Sequence, residues 1–148
     1  MRVIGGLLTG SSGNSLLEGE ASAKALEKVK RVPAEKRIEI VFLAAEIIRR
    51  RKFELSALIC AEVGKSWIEA DADTAETIDF LEFYGREMLR LAGQHAVTPM
   101  KGEKNFLVYI PLGVGVVIPP WNFPAAIAAG LTGGWLVAGD TVGPQGAC

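Results

Sequence analysis

Apolar residues recur along this chain with two different periods, and the change falls near Gly93. Before it the spacing is helical. Ile38, Val41, Phe42, Ala45 and Ile48 form one apolar stripe of a helix whose first turn suits Pro33. An earlier helix is predicted over residues 16–29 and a shorter one over 54–63, stopped by Gly64. A long helix follows over 66–91, with Ile78, Leu81, Tyr84, Met88 and Leu91 facing inward. Ser66 and Glu69 have the spacing of a capping box at its start. Asp71, Asp73, Glu76 and Asp79 crowd its first half, while Arg86 and Arg90 lie near its end, an order that suits the helix dipole. The carboxylates read as a solvated face. Asp71 and Asp73 are two apart, so they point to different sides of the helix.

After Gly93 strand signals take over. Residues 102–105 read as a turn and 106–110 as a strand, which Pro111, Leu112 and Gly113 reverse or redirect into the next. Residues 114–118 are mostly β-branched and apolar, the pattern of a strand buried on both faces. Pro119 and Pro120 end it, because proline donates no ladder hydrogen bond. Pro124 suits the first turn of a helix over 125–138. Strand, sharp turn and helix open a parallel α/β unit, and ligands bind at the carboxyl ends of such strands. Asn122 sits in that turn, and its amide can offer donors to an oxygen that is gaining negative charge.

At 148 residues the chain is one domain's worth, and 49% hydrophobic content can fill a core. A formal net charge of -1 gives no bulk pull toward nucleic acid. No apolar run approaches the roughly 20 residues that span a bilayer. Residues 1–14 are rich in glycine and serine and read as flexible. Their short, glycine-broken apolar run does not suit a signal peptide, and a cytoplasmic protein is expected. Two cysteines make no disulfide scaffold: Cys60 reads as a buried small hydrophobe, and Cys148 is the last residue. His95, the single histidine, falls in a loop without ligand partners, so no metal is expected. Arg49, Arg50, Arg51 and Lys52 read as a solvated helix end rather than a phosphate patch, for lack of interleaved aromatics and of a basic balance.

Pro120-Trp121-Asn122-Phe123-Pro124, led by the apolar run from position 110 to Ile118, closely resembles the signature of the aldehyde dehydrogenase superfamily. The resemblance implies an oxidoreductase that acts on a small-molecule aldehyde with NAD, NADP remaining open. In the family the turn lies against the cofactor, which assigns cofactor contacts to Ile118, Pro119, Pro120 and Trp121. The signature asparagine stabilises the oxyanion formed when a thiolate attacks the aldehyde, a role that maps to Asn122, and Phe123 would face the substrate tunnel. The competing reading is a plain strand-turn-helix with Trp121 as a core aromatic. Glu62-Val63-Gly64-Lys65-Ser66-Trp67, with the acidic run from Glu69 to Phe80, is similar to one branch, the L-glutamate γ-semialdehyde (1-pyrroline-5-carboxylate) dehydrogenases of proline catabolism. That likeness covers residues 32–142 or so.

The fold class implied is α/β. A helical part over 15–100 and a β-hairpin arm over 101–112 lead into the first strand-helix unit of a Rossmann-like parallel sheet, incomplete over 113–148. In the family the arm adds strands to a neighbouring subunit, so a homo-oligomer is implied. The end of the chain departs from the pattern. Gly130, Gly133 and Gly134 do not spell the Rossmann glycine fingerprint, and Gly133-Gly134-Trp135 sets helix-weakening glycines beside a bulky ring. The family's cofactor-binding lysine, which holds the adenosine ribose, falls on Gln145, which keeps a donor and loses the charge. Pro144 is expected to interrupt the second strand. The family's general-base glutamate and nucleophilic cysteine map to no residue here, so the 148-residue chain by itself is expected to be inactive. The alternative function is a catalytically inactive module for subunit association.

Overall fold

The computed structural model describes residues 15–144, so Gln145 and Cys148 lie outside the described residues. The helices fall where the apolar spacing puts them: α1 Ser15–Val29, α2 Ala34–Arg50, α3 Lys52–Val63 and α4 Trp67–Leu91. Pro33 is the N-cap of α2 rather than a residue of its first turn. Gly64 closes α3 at φ +70°, a left-handed conformation that costs an L-residue roughly 1–2 kcal/mol. At the start of α4 the capping box is complete. The Glu69 N–H donates to Ser66 Oγ at 3.3 Å, and the Ser66 N–H donates to the Glu69 carboxylate at 3.1 Å.

The long helix α4 is the hub, packing on α2, on α3 and on α5 (Ala126–Ala138). One core cluster joins Ile38, Val41 and Ala45 of α2 to Ile78 and Leu81 of α4 and Val137 of α5. A second joins Ile59 of α3, Ala70 of α4 and Ala125, with the half-buried Cys60 and Val63 against it. Between α3 and α4 the core turns polar but stays satisfied: the hydroxyls of Ser56 and Thr74 share a hydrogen bond of 3.0 Å.

Short strands complete the architecture: β1 Gln94–His95, β2 Leu107–Val108, β3 Val114–Val117 and β4 Thr141–Pro144. β3 and β4 pair in parallel, with Val114 opposite Thr141 and Val117 opposite Pro144, and α5 is the crossover between them. Pro144 is itself within the described part of β4, opposite Val117, and is the last described residue. The Asp140 carboxylate accepts the N–H of Gly113 at 2.6 Å and ties the entry of β3 to that of β4.

Other sequence expectations are corrected. β3 is buried on one face only: Gly115 and Val117 face inward, while Val116 is 62% exposed. The strand around 106–110 forms no hairpin with β3. β2 pairs antiparallel with β1, and His95 lies in β1 rather than in a loop. Its Nε2 meets the carbonyl of Leu91 at 3.0 Å and its ring stands edge-on to Tyr109. The glycines of α5 do not break the helix. They let it approach α4: a Cβ on Gly130 would sit 2.9 Å from Phe80 Cδ2, and one on Gly133 would sit 2.8 Å from Leu81 Cδ2. The Trp135 ring in turn occupies the space over Gly115, where a Cβ would meet it at 2.7 Å. The cations at the α2–α3 junction pair with carboxylates: Arg49 with Glu46 and Glu82, Arg51 with Glu54, and Lys52 with Asp71.

Candidate active site

The residues between the end of β3 and the start of α5 form a surface turn at the carboxyl end of a parallel strand. Pro119 and Pro120 stop the ladder, and α5 starts at Ala126. Its N-cap, Ala125, has no side chain that can cap, so another helix supplies the acceptor. Asp73 of α4, 1% exposed, takes the Ala126 N–H on Oδ1 at 2.8 Å and the Lys65 ammonium on Oδ2 at 2.8 Å. This corrects the solvated-face reading at that position. Asp73 is a buried, fully engaged carboxylate whose negative charge stands at the positive end of the α5 dipole. Asp71, half-buried, pairs with Lys52 instead. At the far end of α5 the polarity reverses. Arg37 of α2 donates from Nε to the Val137 carbonyl at 2.9 Å and from Nη1 to the Val32 carbonyl. Burial pushes the Arg37 guanidinium below its ordinary value, opposed by the charges of Asp140 and Glu35. Two neighbouring helices thus each donate or accept one hydrogen bond at an end of α5.

The turn closes one wall of a cleft of about 400 Å³. Trp121, Asn122 and Phe123 line it from the turn, Gly64 and Lys65 from the α3–α4 connection, and Glu69, Asp73 and Glu76 from α4. The Lys65 ammonium lies 3.9 Å from the Phe123 ring centroid, within cation–π range. Hydrogen bonds from the Ser66 side chain and backbone hold the Glu69 carboxyl below the usual carboxylate range. Lys65 and Asp73 carry the geometry, and neither is identifiable as a site residue from spacing. Their one sequence signal is that both fall within the segment that resembles the branch motif.

The structure gathers Trp121, Asn122 and Phe123 at one cleft, and none of them is a core residue. Trp121 is 61% exposed, which removes the reading of Trp121 as a core aromatic. Ile118 is 71% exposed and Pro120 is exposed beside it, so an open apolar surface extends from the end of β3. Among the described residues no hydrogen-bond partner takes the Asn122 side chain, so both donors of its amide are available to a ligand in the cleft. No group of acidic, histidine or cysteine side chains among the described residues could hold a metal ion, and no described helix is long and apolar enough to cross a membrane.

Comparison with known proteins matches residues 18–143 to the sequence profile described as the aldehyde dehydrogenase family. The 1-pyrroline-5-carboxylate dehydrogenase of Geobacillus thermodenitrificans (strain NG80-2) is 59% identical over 112 residues, which is 76% of this chain and 22% of that relative. The 1-pyrroline-5-carboxylate dehydrogenase 2 of Bacillus subtilis (strain 168) is 54% identical over 123 residues, or 83% of this chain and 24% of that relative. The crystal structure of a Thermus 1-pyrroline-5-carboxylate dehydrogenase with bound NAD superposes with a TM-score of 0.80 at 48% identity, covering 84% of this chain and 24% of that one. The chain therefore spans about a quarter of the length of the relatives it matches.

Proposed function

We propose, since the chain belongs to the aldehyde dehydrogenase family, that it is the N-terminal portion of an NAD(P)-dependent enzyme oxidising L-glutamate γ-semialdehyde to L-glutamate in proline catabolism. The observation that carries this reading is Asn122. The signature asparagine stands at the mouth of a cleft, on the turn after a parallel strand, in a segment 59% identical to a relative named for that activity. Its amide donates to the aldehyde oxygen as that oxygen gains charge, and a preorganised donor of this kind lowers the barrier by stabilising charge that develops in the transition state. Phe123 walls the cleft beside it and helps to exclude water from the reacting carbon. Ile118, Pro119, Pro120 and Trp121 form the surface for NAD or NADP, which supplies the hydride acceptor when bound. Gln145 contributes one uncharged donor to that cofactor. The attacking thiolate comes from the remainder of the complete enzyme.

Residues 15–100 then form the helical part of the cofactor-binding domain, 101–112 the arm, and 113 onward the start of a Rossmann-like sheet. A homo-oligomer joined through the arm is part of the proposal, as is a cytoplasmic location. The support for the arm is its surface: Tyr109, Ile110 and Leu112 are 56%, 77% and 86% exposed. The same surface favours a second reading, a module whose work is subunit association. The test is the protein expressed from its complete reading frame and supplied with L-glutamate γ-semialdehyde and NAD. Enzyme-proportional formation of NADH supports the first reading. Association without dinucleotide binding or turnover supports the second.

A further inference from the structure

We infer that Asp73 is a positioning residue that holds the Asn122 turn in its working geometry, an inference that rests on the oxyanion role proposed for Asn122. The turn has two fixed points just after Asn122, at Phe123 and at Ala126, and both lead to one carboxylate. The Ala126 N–H is held directly by Asp73 at 2.8 Å. On the N-terminal side of that bond the Phe123 ring packs under the Lys65 ammonium at 3.9 Å, and the same ammonium is held by Asp73 at 2.8 Å. The Asp73 side chain is 0% exposed and that of Lys65 15%, so water replaces neither contact readily. No residue of the turn performs this function for itself, because the N-cap of α5 is Ala125.

An asparagine at position 73 can still accept from Ala126 but offers no charge to Lys65, so the side of the turn that carries Phe123 is released. Misplacement of a reacting group by an ångström or less costs turnover steeply. The proposed cofactor surface at Ile118, Pro119 and Pro120 precedes the released segment, so cofactor binding is affected less than turnover. Arg37 is the comparison, since it satisfies the opposite end of the same helix and does not touch the turn.

The experiment uses the complete enzyme and compares Asp73→Asn, Lys65→Met, the double variant and Arg37→Met. Asp73→Asn and Lys65→Met are each expected to lower kcat about 10-fold, with the cofactor KM within about twofold. The double variant is expected to match Asp73→Asn, because the two residues act as one unit. Arg37→Met is expected to lower thermal stability and leave kcat within about twofold. Wild-type kcat in a folded Asp73→Asn enzyme overturns the inference. So does an equal loss of kcat in Arg37→Met, which would make helix stability the whole effect. An inactive wild type would contradict the proposed function instead. Amide exchange on the 148-residue chain then decides the positioning claim. Asp73→Asn should speed exchange over 121–126 about 10-fold relative to 134–138, and uniform acceleration or none overturns it.

Discussion

Gly130 of α5 lies so close to Phe80 of α4 that a Cβ on the glycine would come within 2.9 Å of Cδ2, 3.0 Å of Cγ and 3.4 Å of Cβ. These are atoms near the root of the side chain, with little freedom to withdraw. Gly134, one turn later, has only ordinary contacts at 3.8 Å with Tyr84. The same substitution should therefore have opposite signs at the two positions. Gly130→Ala gains about 1 kcal/mol of helix propensity and loses about 1–3 kcal/mol to overpacking, a net destabilisation. Gly134→Ala keeps the propensity gain, up to about 1 kcal/mol. Urea unfolding midpoints measure both, and a stabilised Gly130→Ala would mean that α4 and α5 pack less tightly than described.

The capping box at α4 should open in acid. The Glu69 carboxylate is held below its ordinary range by Ser66, so its contribution is fully present above the ordinary glutamate pKa of about 4.3. It is lost as pH falls through the lowered value. The amide proton of Ser66 should shift in nuclear magnetic resonance over that acid window, and Glu69→Gln should abolish the shift while preserving the cap. A shift that survives in Glu69→Gln would assign it to another group.

A lysine at position 145 should tighten cofactor binding. The proposed donor there is uncharged, and charge-assisted hydrogen bonds are roughly twice as strong as neutral ones. Gln145→Lys in the complete enzyme is expected to lower the dinucleotide Kd in calorimetry. Equal or weaker binding would mean that the family's cofactor lysine does not align with this residue.

The 148-residue polypeptide expressed alone should form no NADH from L-glutamate γ-semialdehyde. Covalent aldehyde oxidation needs an activated thiolate at the reacting carbon. Cys60 is half-buried against the Ile59 cluster and does not line the cleft. Steady absorbance growth at the NADH band that vanishes in Cys60→Ala would contradict this. Loss of that growth in Cys148→Ala would assign the nucleophile to the other thiol.

What was legible in the sequence was what neighbouring residues decide. Ser66 and Glu69 are three apart and make the capping box; Ile38, Val41 and Ala45 keep helical spacing and form the core stripe. The turn around Asn122 follows from two prolines after an apolar strand. What stayed hidden depends on partners far along the chain. Asp73 looks like one more surface acid until Ala126, 53 residues later, brings a helix terminus to it. Gly130 and Gly133 look like weaknesses until the side chains of Phe80 and Leu81 fill the space they leave. β3 looked buried on both faces because its residues are uniformly apolar. Among the described residues only one of those faces is covered, and composition alone cannot assign what lies against the other.

The central claim is that Asn122 supplies the oxyanion donor, and single-turnover kinetics of Asn122→Ala in the complete enzyme test it most directly. The rate of hydride transfer is expected to fall on the order of 10²-fold, the usual loss for one such donor, with cofactor affinity unchanged. An Asn122→Ala enzyme that transfers hydride at the wild-type rate, with chemistry shown to be the step observed, would contradict it.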